Sequence, residues 1–238
     1  MVLKNKKCKS KTRCVGTRPS LNTFAFAFAA FTVLLAYVNK YHNLPIAAYA
    51  FFLLFSSMQL IEAGVWLTLN RKDGPDWNRV LSIIGFIAIA LDPLVSLLRI
   101  QNSTLRNRLL LAYVIFALIT CVSLIGSMDF RTLPAANGHL EWKWLSPVFE
   151  SPIGWCIILI WLTFLIIPLL QSQAYLATAF LLGVFTLSII TFYRERTIGS
   201  IWCWIVNLVF VKILIDILFL QPCIAHFPHG FNYGKNKN

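Results

Sequence analysis

Residues Ile153–Leu170 read IGWCIILIWLTFLIIPLL, a run without a single charged side chain. About 20 residues of this kind cross the hydrocarbon core of a bilayer as an α-helix, because each residue adds about 1.5 Å of rise. Similar apolar runs recur along the chain and predict an all-α integral membrane protein, a seven-transmembrane helix bundle with short loops. The predicted spans are Leu21–Val38, Leu44–Leu69, Val80–Leu98, Leu109–Gly126, Ile153–Leu170, Ala174–Phe192 and Ile198–Leu220.

The composition supports the same fold class. Of the 238 residues, 58% are hydrophobic and only 13% are charged. A soluble domain of this length could not bury so much apolar surface, so the excess is expected to face lipid. Three parts are predicted: a basic cytoplasmic tail over residues 1–20, a transmembrane domain over 21–220 and a short polar C-terminal tail over 221–238.

The net charge of +12 is concentrated at the N-terminus. This pattern predicts a cytoplasmic tail that contacts anionic lipid headgroups, rather than a nucleic-acid-binding surface. The rule that cytoplasmic segments are rich in cations then places the C-terminus outside, and this orientation depends mainly on the tail. The predicted headgroup contacts are Lys4, Lys6, Lys7, Lys9 and Lys11, with Arg13 and Arg18 beside them.

The longest predicted connection, Ser127–Pro152, contains the sequence GHLEWKW at Gly138–Trp144. Tryptophan and charged residues alternate in it. Because tryptophan favours the membrane–water interface, the pattern predicts a segment that lies in the headgroup layer.

Ionisable residues inside the predicted spans are the main functional signal, because each costs roughly 3 kcal/mol or more in hydrocarbon. They are Glu62, Asp92, Lys212 and Asp216. On the second span, helical spacing places Glu62 on a face predicted to point into the bundle. The other residues of that face are Ser56, Gln59, Ala63 and Trp66.

An interhelical ion pair between Asp92 and Lys212 is predicted, since both lie roughly 4 Å from the midplane on the same side. Asp216, one turn beyond Lys212, could share that lysine. Pro93 should kink the third helix and free a carbonyl group. On the seventh span, Asn207 belongs to a separate polar face with Ser200 and Cys203.

Two readings of these groups stay open. Three acids face one base, so Glu62 is expected to remain unpaired and to carry a proton. In the first reading, Glu62 belongs to a proton or cation site of a small transporter or channel whose substrate is an ion or small solute. In the second, the polar groups only hold helices together, with Glu62 bonded to Gln59 or Asn207, in a non-transporting membrane scaffold or envelope component.

Two enzyme or cofactor classes fit the residues poorly. A retinal protein needs an acid or serine one turn before its lysine, and Leu208 stands there before Lys212. A seven-pass metal-dependent hydrolase needs clustered histidines, whereas the four histidines here lie in loops and the tail. No nucleophile–base arrangement is visible, so the sequence leans away from an enzyme and predicts no cofactor and no metal. The histidines are His42, His139, His226 and His229.

Two motifs carry a resemblance. MQLIEAGVW (Met58–Trp66) and GSIWCW (Gly199–Trp204) resemble patterns in uncharacterised multi-pass membrane proteins of large DNA viruses and microbes. The resemblance covers these motifs and the number of helices. It implies the same fold class and brings no activity with it.

Overall fold

The computed structural model describes residues 11–69, 71–124 and 126–220, with side chains from Ser20 onward. Within this part of the chain, seven helices are long and apolar enough to cross a membrane, as the sequence predicts. They are α1 (Lys11–Val38), α2 (Ile46–Thr68), α3 (Gly74–Leu97), α4 (Ser103–Leu124), α6 (Pro152–Gln171), α7 (Tyr175–Phe192) and α8 (Ile198–Ile215, extended by a π-helical turn over Asp216–Leu220).

The bounds of α2, α6, α7 and α8 agree with the predicted spans to within about two residues, whereas α1 begins ten residues early and α3 and α4 begin six residues early. Their first turns are polar, so hydropathy alone places them in the loops. At α3, Pro75 occupies the first turn, where a proline needs no hydrogen-bond donor. At α4, the Asn102 side chain accepts a hydrogen bond from the Leu105 amide at 3.0 Å, which caps the helix.

The long connection between α4 and α6 is folded. Strands β1 (Thr132–Pro134) and β2 (Leu140–Trp142) pair antiparallel in a short hairpin. A single 3₁₀ turn over Lys143–Leu145 follows, and then the five-residue helix α5 (Ser146–Glu150). We call residues 132–150 the hairpin segment.

The hairpin segment is inserted into the end of the bundle, so its tryptophans face protein; its position relative to the headgroup layer stays a prediction. Leu140, Trp142 and Trp144 are 0%, 3% and 3% exposed, whereas the alternate residues Glu141 and Lys143 face outward and pair at 2.7 Å. Tryptophan–charge alternation fits an interfacial segment and an inserted strand equally well, since both have period two. The apolar residues here face protein instead of lipid.

A glycine makes room for the inserted strand. A Cβ atom on Gly85 of α3 would lie 2.7 Å from the Trp142 ring, closer than real contacts allow. Two further contacts hold β1 against α3. Asn78 exchanges two hydrogen bonds of 2.9 Å with the Thr132 backbone, and Ser82 bonds the Thr132 hydroxyl at 2.7 Å. The hairpin therefore closes one end of the bundle, which we call the hairpin end.

The helices differ in how much of them is covered by protein. Half of the best 18-residue window of α2 is buried, but only 6% of that of α4. Tyr113 is the one buried side chain among the described residues of α4. Helix α4 is therefore a peripheral wall of the bundle, and α2 lies at its centre.

Candidate functional site

Glu62 lies at the centre of the bundle and is sealed there. It is 1% exposed, and the Ser200 hydroxyl and the Trp142 indole are its hydrogen-bonding neighbours. Its Oε1 atom has no partner among the described residues. The carboxyl group thus joins three elements: α2, the hairpin segment and α8.

The other polar groups near Glu62 do not bond it. Gln59 is 1% exposed, and neither polar atom of its amide has a partner in the described chain. The Asn207 amide donates to its own helix, to the carbonyls of Trp204 at 3.1 Å and Cys203 at 3.3 Å. The predicted hydrogen bond from Glu62 to Gln59 or Asn207 is therefore wrong.

The predicted Asp92–Lys212 ion pair is also wrong. Lys212 pairs with Asp216, one helical turn away, and Tyr41 donates a second hydrogen bond to the same carboxylate. Burial and the neighbouring Asp216 raise the pKa of the Tyr41 phenol, so its hydroxyl stays protonated and donates. Because Tyr41 follows α1, this cluster lies at the end of the bundle opposite the hairpin. The depth estimate had placed Lys212 too far inside.

Asp92 is left without a partner in the described part of the chain. It is 2% exposed, and its Oδ1 atom is buried without a hydrogen bond. The proline that follows it has the predicted effect on the backbone. Pro93 has no N–H to offer the carbonyl of Ile89, and the Trp161 indole of α6 donates to that carbonyl at 3.0 Å instead. Trp161 is thereby fixed beside Asp92.

Asp92 forms part of the wall of a partly open cavity of about 130 Å³. One face of α4 lines this cavity over three turns, roughly 16 Å of helix. The lining positions recur at the helical spacing of three and four: Tyr113, Phe116, Ala117, Thr120, Cys121 and Leu124. The cavity therefore lies between the peripheral helix and the body of the bundle.

Aromatic and aliphatic side chains together form most of the remaining wall. Trp144 and Trp202 each present a buried indole N–H without a partner among the described residues. Asp92 is the single lining residue of the described chain that carries a carboxyl group. The aromatic lining residues are Phe55, Phe86, Tyr113, Phe116, Trp144, Phe149, Trp161, Phe185 and Trp202.

The six residues predicted as one intramembrane polar site thus occupy separate places. Gln59 and Glu62 are sealed in the core, Lys212 and Asp216 lie at the end opposite the hairpin, and Asn207 bonds its own helix. Asp92 alone reaches the cavity. The sequence reasoning missed the aromatic wall, because helices that are apolar on every side do not reveal which side faces a cavity.

The chemistry of the cavity is specific. A carboxylate attracts a cation, and aromatic faces attract cations through their quadrupoles. An apolar cavity of about 150 Å³ accepts a molecule of the size of benzene. No group of three or more metal-ligating side chains occurs in residues 11–69, 71–124 and 126–220. The arrangement suits a small apolar molecule with one positive charge.

Comparison with known proteins found no similarity on which a family could be assigned: no family model, curated protein or solved structure matches the chain. The resemblance of Met58–Trp66 and Gly199–Trp204 to viral and microbial proteins stays a prediction. The class rests on the seven apolar helices, which make this a multi-pass membrane protein.

Proposed function

We propose that this protein is a small proton-linked carrier for a hydrophobic organic cation, with Asp92 as the binding group. The observation that supports it is the unpartnered carboxyl group of Asp92 in an aromatic cavity. An ionisable group in this position is costly and gains a partner when a cation binds. The proposal keeps the predicted transport class and moves its centre from Glu62 to Asp92.

The lining argues for a carrier of organic cations rather than an ion channel. A hydrated metal ion needs a path of oxygen ligands, whereas this wall is almost entirely apolar. An organic cation can shed its water more easily and stack its apolar part on the rings. In the carrier, Asp92 holds either a proton or the cation, so arrival of the cation releases the proton to water.

The test uses benzyltrimethylammonium, a permanent cation that joins a benzene ring to one positive charge, with purified protein in proteoliposomes. Addition of the cation outside should drive proton release, followed with a pH-sensitive dye inside and outside the vesicles. Asp92→Asn removes the exchangeable charge and should reduce flux at least about tenfold, the effect of losing roughly 1.4 kcal/mol of interaction. Glu62→Gln should leave flux within about twofold of wild type, provided that it folds.

Matched controls separate the alternatives. Glu195→Gln removes an exposed carboxylate outside the cavity and should change nothing. Neopentylbenzene has the same shape without the charge and should release no protons. If wild type and Asp92→Asn bind the cation equally, or if neither binds it, the carrier proposal is wrong, and the non-transporting scaffold becomes the better description.

A further inference from the structure

A second cleft lies at the hairpin end and adjoins the aromatic cavity, with which it shares the lining residues Phe149 and Ile198. It has a volume of about 200 Å³ and lies between α5 and the turn that joins α7 to α8. Its polar lining consists of Ser146, Glu150, Tyr193, Arg194 and Arg196. Nothing in the proposed carrier mechanism uses these residues.

The Ser146 hydroxyl lacks a partner. Ser146 is 9% exposed, and its Oγ atom is buried without a hydrogen bond to any described residue. A buried hydroxyl without a partner destabilises the fold. Because Ser146 lines the cleft, rotation of its hydroxyl toward a ligand with acceptor oxygens would give it a partner.

The two arginines of the cleft differ. Arg196 bonds the Glu150 carboxylate at 2.6 Å, with Glu141 further away at 3.7 Å. Arg194 is exposed and has no ion pair within the described chain. Arg196 is therefore already paired with carboxylates, and Arg194 is the guanidinium group of the lining that is left for an anion.

The start of α8 adds to the positive electrostatic potential of the cleft. Thr197 precedes the helix but makes no side-chain capping bond, since its hydroxyl accepts from Asn137 at 2.8 Å. Helix N-termini carry free N–H groups and favour anions. Ile198, the first residue of α8, lines the cleft.

Aromatic packing places the cleft at the boundary of the hydrocarbon. The Trp155 ring, in the first turn of α6, stacks on Tyr193 with centroids 6.4 Å apart and meets Phe149 at 5.4 Å. Tyr193 follows directly on the last residue of the α7 span. Tryptophan and tyrosine at the ends of spans favour the level of the headgroups.

We infer that this cleft binds the phosphate group of a membrane phospholipid. Arg194 holds its oxygens by charge-assisted hydrogen bonds, and the Ser146 hydroxyl donates a further bond. The acyl chains then lie along the outer surface of α6 and α7. The chemistry recognised is a phosphate ester, and the membrane is its nearest source.

The experiment is isothermal titration calorimetry of the purified full chain in detergent with dihexanoylphosphatidic acid. Dihexanoylglycerol, which lacks the phosphate, and inorganic phosphate are the comparison ligands. Wild type should bind the phosphatidic acid. Arg194→Gln should weaken binding about tenfold and Ser146→Ala about threefold, as expected for one strong and one ordinary hydrogen bond.

Arg108→Gln is the matched control. It removes an exposed arginine near the start of α4, at the end of the bundle opposite the hairpin. It should bind like wild type. Equal binding by Arg194→Gln and wild type, or by dihexanoylglycerol and phosphatidic acid, would refute the site. Inorganic phosphate binding as tightly as the phospholipid would refute the lipid assignment. Arg194→Gln changes a surface residue, and Ser146→Ala removes a single hydroxyl group. A variant that keeps the thermal stability of wild type but binds more weakly has therefore lost binding and not folding.

Discussion

The two buried carboxyl groups of the bundle, Glu62 and Asp92, lie in opposite surroundings. Glu62 has the Ser200 and Trp142 donors beside it and no cavity in front of it. Asp92 has no partner in the described chain and faces an aromatic cavity. Equal burial thus goes with different surroundings: one carboxyl group joins three elements, and the other lines a cavity without a hydrogen-bond partner in the described chain. A burial value alone does not identify a functional acid.

The largest expected effect tests whether the hairpin packs between Gly85 and Glu62. Trp142→Ala should lower the free energy of unfolding by about 3–5 kcal/mol, because it empties the space between Gly85 and Glu62. Unfolding by sodium dodecyl sulfate, followed by far-ultraviolet circular dichroism, measures it. Trp77→Ala, an exposed tryptophan on α3, is the control and should change little. An equal loss in both variants would contradict the inserted hairpin.

The next effect compares the two acids directly. Glu62→Leu should destabilise the fold by about 1–3 kcal/mol, since it leaves the Ser200 and Trp142 donors unpaired. Asp92→Leu removes a polar group that has no partner. It should therefore lower the free energy of unfolding by less than about 1 kcal/mol, or even raise it. The same unfolding titration measures both. A larger loss for Asp92→Leu would reverse the assignment of roles.

A smaller effect is expected at the end opposite the hairpin. Tyr41→Phe removes one of the two hydrogen bonds to Asp216 and should cost about 0.6–1.7 kcal/mol, the range of such bonds in membrane proteins. Combining it with Asp216→Ala, which removes the acceptor, tests the contact in a double-mutant cycle. Additive losses would show that the two side chains do not interact.

The smallest effect concerns Asn207. Its amide bonds only carbonyls of its own helix, so Asn207→Leu should change the unfolding free energy by less than about 0.5 kcal/mol. It should also leave cation-driven proton release unchanged. A loss of flux at normal stability would return Asn207 to the transport site.

How far the sequence predicts this molecule depends on what each pattern reports. Hydropathy predicts the seven spans, because a lipid environment demands long apolar helices. Helical spacing places Glu62 on a buried face, and Pro93 correctly predicts a freed carbonyl. Pairing across helices fails for Lys212 and Asp92, since a depth estimate has an error of about one turn. The observed partner of Lys212 is Asp216, one turn away on the same helix.

The aromatic cavity could not be predicted for a different reason. Residues on every side of α4 are apolar, so a side toward protein and a side toward lipid look the same. The residues at Tyr113, Phe116 and Thr120 acquire their role only from what α6 and α8 place opposite them. The orientation across the membrane and the headgroup contacts of Lys4 to Lys9 fall on residues outside the described chain and stay predictions.

The packing site of the hairpin has a consequence for the biogenesis of the protein. Trp142 is enclosed by Gly85 of α3, Glu62 of α2 and Gly199 of α8, so its packing site combines two helices that precede the hairpin with one that follows it. The packing of the segment is therefore incomplete until the ribosome has synthesised α8. A chain that stops before α8 would leave Trp142 partly uncovered, a signal by which quality control would recognise it as incomplete.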